Sequence, residues 1–102
     1  MSVIEIKEKT VSEKIKKQGR VIVDCYASWC GPCRMLSPII DELASEMTDY
    51  TFYKLNVDES IEFASEYEIM SIPTILIFEN GNLVNRITGF KPKEELKEIF
   101  SK

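Results

Sequence analysis

The passage from the apolar run Val21-Ile22-Val23, through Trp29-Cys30-Gly31-Pro32-Cys33, into a long stretch of helical spacing most constrains what this chain can fold into. Arg20 to Tyr26 carries apolar residues on both faces, as a central strand covered on both sides does. From Cys33 onward, Leu36, Ile40, Leu43 and Met47 recur at spacings of four, three and four, and Ile39 and Ala44 widen the stripe. That spacing predicts an amphipathic helix, with Pro38 inside it as a source of a kink. A doubly covered strand feeding an amphipathic helix calls for a sheet flanked by helices. It also puts two cysteines at the mouth of that helix.

The remaining segments fill in the same scheme. Val3 to Ile6 alternates apolar and charged residues and reads as a short strand. Thr10 followed by Glu13 fits a capping box opening a helix that ends near Gly19. Thr51 to Val57 is the next strand, and Asp58 is positioned to cap a shorter helix through Phe63 and Ala64 towards Tyr67. Thr74 to Phe78 and Leu83 to Thr88 flank Asn80-Gly81, a hairpin signal because both residues tolerate positive φ. Pro92 suits the first turn of a last helix with Leu96, Ile99 and Phe100 on its buried face. The expected class is α/β, a central mixed five-stranded sheet flanked by four helices, with parallel crossovers early and a hairpin late. The cysteine pair then lies at the carboxyl end of a central strand, where ligand chemistry in open α/β sheets concentrates.

Length and charge exclude several classes. A chain of 102 residues with 44% hydrophobic content suits one domain, residues 1–102, that buries a core without staples or metal. A net charge of −4 without a basic tract argues against nucleic acid or an anionic membrane as partner. No run approaches membrane-spanning length. Met1 to Lys7 mixes acidic and basic residues and has no long apolar core, so it does not read as a secretory signal. Three cysteines, an odd number, make a structural disulfide framework a poor fit, and a reducing, cytoplasmic setting is expected.

The motif itself points to a dithiol switch. The sulfur of Cys30 would lie over the free amides of the helix's first turn, where the helix dipole favours an anion and the thiolate forms more readily. A second thiol one turn on, Cys33, can attack a mixed disulfide, close a small ring and release the partner reduced. Asp24, in the middle of a buried strand, is costly to desolvate, so its pKa should rise towards the range useful for proton transfer near neutral pH. Pro73, just before a strand, leaves the backbone of Ile72 free to meet an incoming chain. Gly31 and Pro32 start the helix tightly.

These residues, with Val23-Asp24, Pro38, Lys54-Leu55-Asn56-Val57-Asp58, Ile72-Pro73-Thr74, Asn80-Gly81 and Gly89, occur in an order that resembles the thioredoxin family over nearly the whole chain. The resemblance implies the thioredoxin fold and a general protein disulfide reductase that acts as an electron carrier and needs no cofactor or metal. It implies Cys30 as the more exposed nucleophile and Cys33 as the buried resolving thiol. It also implies Asp24 as the proton-handling carboxylate, Lys54 as its charged neighbour, and a cis Pro73. Trp29, Gly31, Pro32, Ile72, Pro73 and Gly89 would form the substrate surface. Disulfide-containing proteins would be the substrates, a thioredoxin reductase the electron donor, and the chain a monomer. Cys25, Tyr26 and Phe90 depart from the commonest family pattern, and Phe90 adds bulk at the rim of the surface.

Plainer readings stand beside these. A zinc half-site at Cys30 and Cys33 lacks ligands, because the chain has no histidine and one other cysteine. Asp24 could be a hydrogen-bonded core carboxylate, Lys54 a solvated strand-edge lysine, and Trp29 a half-exposed packing residue. Cys25 reads as a small buried apolar residue. The alternative function is a redox-capable subunit that docks a partner through Trp29, Ile72 and Pro73.

Overall fold

A computed structural model describes residues 3–102; Met1 and Ser2, part of the segment weighed above as a leader, lie outside the described residues. Strand β1 (Ile4–Ile6), helix α1 (Glu8–Lys14), β2 (Arg20–Tyr26), α2 (Gly31–Glu46), β3 (Thr51–Asn56), α3 (Ile61–Glu66), β4 (Thr74–Glu79), β5 (Asn82–Thr88) and α4 (Lys93–Ser101) follow in the expected order. A single 3-10 turn, Val57–Glu59, precedes α3.

The five strands form one mixed sheet in the order β1-β3-β2-β4-β5, with β2 at its centre. β2 pairs in parallel with β3 and antiparallel with β4. Because strand side chains alternate, Val21, Val23 and Cys25 face one side, where they join Val11 and Ile15 near α1 and Phe63 of α3. Ile22 faces the other side, against Leu36, Ile40 and Leu43 of α2 and Leu96 and Phe100 of α4. Asp24 therefore projects towards the α2 side, two residues along from Ile22. The same alternation sends Cys25, fully buried, to the opposite side.

Helix α2 runs unbroken through Pro38, which lies on its exposed side. The hairpin between β4 and β5 turns on Asn80 (φ 52°) and Gly81 (φ 88°), the left-handed pair expected for such a turn.

Four local expectations fail, the first being that α1 reaches Gly19, since it stops at Lys14. Helix α1 starts at Glu8 with Lys7 as its cap residue and no side-chain cap; Thr10 lies inside the helix and donates to the Lys7 carbonyl at 3.4 Å. Asp58 does not cap α3. Ser60 is the cap residue of that helix, and the amide of Phe63 in its first turn donates instead to Glu8 Oε2 at 2.6 Å, across 55 residues of sequence. Pro92 precedes the first turn of α4 rather than entering it.

Candidate functional site

Cys30 is the cap residue of α2. Its Sγ accepts the amide of Cys33 at 3.2 Å, and Gly31 and Pro32 are the first two residues of the helix. This is the electropositive helix start expected for a stabilised thiolate. Cys30 and Cys33 are joined by a disulfide, their Cα atoms 5.2 Å apart.

As whole residues Cys30 and Cys33 are equally enclosed, each 4% exposed, so residue exposure does not set Cys30 apart. Their surroundings do distinguish them. Cys30 Sγ lies 3.8 Å from the carbonyl oxygen of Ile72, in the segment before β4. Cys33 lines a cavity of about 250 Å³ that also contains Asp24, Lys54 and Ser37. One sulfur lies beside the Ile72 backbone, and the other residue lines a cavity shared with the Asp24 carboxylate.

The Ile72 segment is shaped by its backbone. The Ile72–Pro73 peptide is cis, and the Pro73 carbonyl accepts the amide of Gly89 at 2.8 Å. Gly89 has φ 90°, a conformation that side chains with a Cβ rarely adopt. Pro73 itself is buried, so its part in the surface is to shape the chain rather than to offer apolar area. Close in sequence to Cys30, Ile72 and Gly89 are exposed apolar side chains: Trp29 at 67%, Met70 at 92% and Phe90 at 39%. Met70 escaped the sequence reading because an isolated exposed methionine carries no periodic signal.

Trp29 does more than pack. Its indole Nε1 donates to Asp58 Oδ2 at 2.8 Å, which explains why Asp58 does not serve as a helix cap. Tyr26, at the end of β2, donates its hydroxyl to Glu5 Oε2 at 2.5 Å; burial and this acceptor both push the phenol pKa up.

Asp24 is 4% exposed, and its Oδ1 has no hydrogen-bond partner. Burial pushes its carboxyl up to about 7; the charge of Lys54 pulls it down and that of Asp41 pushes it up. The effect of Lys54 follows from register, since Asp24 and Lys54 are direct partners on parallel β2 and β3 and share a face. Cys25 is pushed up too, by burial and then by Asp24, and stays a neutral thiol.

The Thioredoxin family profile matches residues 2–102. The chain belongs to the thioredoxin family. It is 51% identical over 90 residues to a thioredoxin of Mycoplasmoides gallisepticum, an overlap of 88% of this chain and 90% of the relative. A Staphylococcus epidermidis thioredoxin is 40% identical over 103 residues, covering 100% of this chain and 98% of the relative. A solved mutant thioredoxin from Halobacterium salinarum superposes with a TM-score of 0.90 at 32% identity, covering 98% of this chain and 88% of that one. The thioredoxin fold expected from the sequence is therefore the fold observed. As a thioredoxin, the chain is a thiol–disulfide oxidoreductase, and Cys30 and Cys33 are its redox pair.

Proposed function

We propose that this thioredoxin reduces protein disulfides by a two-thiol sequence in which Cys30 attacks and Cys33 resolves. The observation that carries this reading is the division of surroundings between the sulfurs: Cys30 beside the Ile72 carbonyl, Cys33 in the cavity with Asp24. An extended segment of the substrate pairs with the backbone at Ile72, and its disulfide reaches Cys30. The Cys30 thiolate, held at the helix start, breaks that bond and forms a mixed disulfide. Asp24 takes the proton from Cys33, and the resulting thiolate attacks Cys30 and frees the substrate as a dithiol. Two electrons have then passed to the substrate, and the pair is a disulfide.

Lys54 tunes the carboxyl through its charge, and Trp29, Gly31, Pro32, Ile72, Pro73 and Gly89 shape the docking surface. A thioredoxin reductase returns the two electrons. The reading includes a monomer acting as one domain over residues 1–102 in the cytoplasm, where a reducing poise keeps the pair available. Among the described residues no helix is long and apolar enough to cross a membrane.

The test is the equilibrium potential of the pair against a glutathione or dithiothreitol buffer. A value near about −270 mV, typical of thioredoxin, supports outward electron flow, whereas roughly −120 to −180 mV would make the protein an oxidant or isomerase.

A further inference from the structure

Ser37 has no part in the reactions described so far, yet it lines the cavity that holds Asp24 and Cys33. It lies four residues after Cys33 on α2, so the two side chains share one face of the helix about 6 Å apart along its axis. The strand opposite contributes Asp24, whose Oδ1 is buried without a partner. The hydroxyl of Ser37 is uncommitted as well. Ser45 and Ser101 return their protons to helix carbonyls, at 2.8 Å and 2.7 Å, while Ser37 makes no such bond to any described residue. At about 250 Å³ the cavity has room for water between these groups.

We propose that Ser37 is a relay residue that carries the proton between Cys33 and Asp24. This rests on the proton-handling role of Asp24 proposed above. A hydroxyl suits the task because it donates and accepts at once. In the resolving step, the Cys33 proton passes through water in the cavity to Ser37 Oγ as the proton of Ser37 passes, directly or through a second water, to the Asp24 carboxylate. The Cys33 thiolate then attacks Cys30, the Cys33–Cys30 bond forms, and the bond from Cys30 to the partner breaks. The partner leaves as a thiolate and takes up a proton from water. When the pair is reduced again, the proton on Asp24 returns to Cys33 by the same route.

Other charged and titratable groups bear on this cavity. Lys54 on β3 and Tyr26 on β2 line it. Arg34 on α2 also lines it and is tied to the Ser28 carbonyl at 2.9 Å, and Asp41, a further turn along α2 from Ser37, acts on Asp24 through its charge. All of them remain in a Ser37 variant, so a change in that variant reports the hydroxyl.

The experiment is single-turnover release of reduced partner from a disulfide-bonded peptide, followed between pH 5 and 9 in light and heavy water. Ser37→Ala, Ser37→Thr, Asp24→Asn and the Ser37→Ala/Asp24→Asn double variant are compared with the unaltered chain. Alanine is the strongest helix former, so Ser37→Ala keeps α2 intact, and a melting curve checks this. The expected result is release slowed roughly tenfold near pH 7, because general-base assistance is weakened but not abolished. The deficit closes at alkaline pH, where Cys33 ionises unaided. The solvent isotope effect changes, Ser37→Thr restores the rate, and Ser37→Ala adds nothing once Asp24 is asparagine. An unchanged pH profile in Ser37→Ala beside a shifted one in Asp24→Asn overturns the relay and leaves the Asp24 reading standing. An unchanged profile in Asp24→Asn overturns both.

Discussion

Helix α2, which carries the redox pair, and helix α3, which precedes the Ile72 segment, are held in opposite ways. α2 spans sixteen residues, carries its own cap in Cys30, and packs Leu36, Ile40 and Leu43 on the sheet. α3 spans six residues and is secured at both ends from elsewhere. Glu8 of α1 accepts the Phe63 amide at its start, and the Arg86 guanidinium of β5 donates to the carbonyls of Tyr67 and Glu68 at its end. Glu68 takes φ 53° there, and Ile72 follows four residues later. The side that does the sulfur chemistry is thus locally determined, and the side that presents the Ile72 backbone is set by distant contacts. This separation suggests that reactivity and substrate docking can be altered independently.

The largest expected effects test the reactive side. Cys30→Ser should lower disulfide reduction to background. Cys33→Ser should still attack and then accumulate the partner as a stable mixed disulfide, visible as one added mass per chain. Normal turnover by the Cys33 variant would end the two-thiol scheme.

Next in size is Asp24→Asn. With its carboxyl raised from the usual range to about 7, Asp24 binds a proton in the folded state more readily than in the unfolded chain. Its contribution to stability is complete below about pH 4 and is lost as pH rises to about 7, a change on the order of 4 kcal/mol. Asparagine should remove that slope and leave the variant more stable above pH 7. Urea midpoints at pH 4, 6 and 8 check this; parallel slopes in both proteins would return Asp24 to an ordinary core position.

On the docking side, Arg86→Ala removes two charge-assisted bonds to backbone carbonyls and should destabilise the fold by roughly 1–3 kcal/mol. Hydrogen exchange should quicken in residues 61–69 while the amides of α2 hold. KM for a protein disulfide should rise more than the rate with a small disulfide falls. Equal loosening of both helices would break the contrast between them.

The smallest effect belongs to Asp58→Ala, at about 1 kcal/mol or less, since the indole it accepts from is largely exposed. Trp29 is the only tryptophan of the chain, so a change in its emission reads the loss of that bond directly.

The contrast between α2 and α3 also explains what could be read from residues alone. α2 announces itself because its apolar stripe and its starting residues are contiguous in sequence, and the same holds for β2 and the Asn80-Gly81 hairpin. The placement of Asp24 and the cysteines was legible for a related reason: a carboxylate inside an apolar run is buried with its strand, and Cys30 and Cys33 stand at the start of a contiguous helical stripe. The capping of α3 was not legible, because its partners Glu8 and Arg86 come from α1 and β5. Asp58 looked like a cap by its position and instead binds Trp29. The different surroundings of the two cysteines were hidden as well, since they depend on where Ile72 and the cavity lie.

Cys25 turns this protein into its own unfolding clock. Cys25, with no exposed surface and a thiol held neutral, waits for the sheet to open before an alkylating reagent can reach it. A pulse of reagent therefore captures Cys25 only in chains that have opened. The rate at which Cys25 is captured measures opening of the sheet without a denaturant.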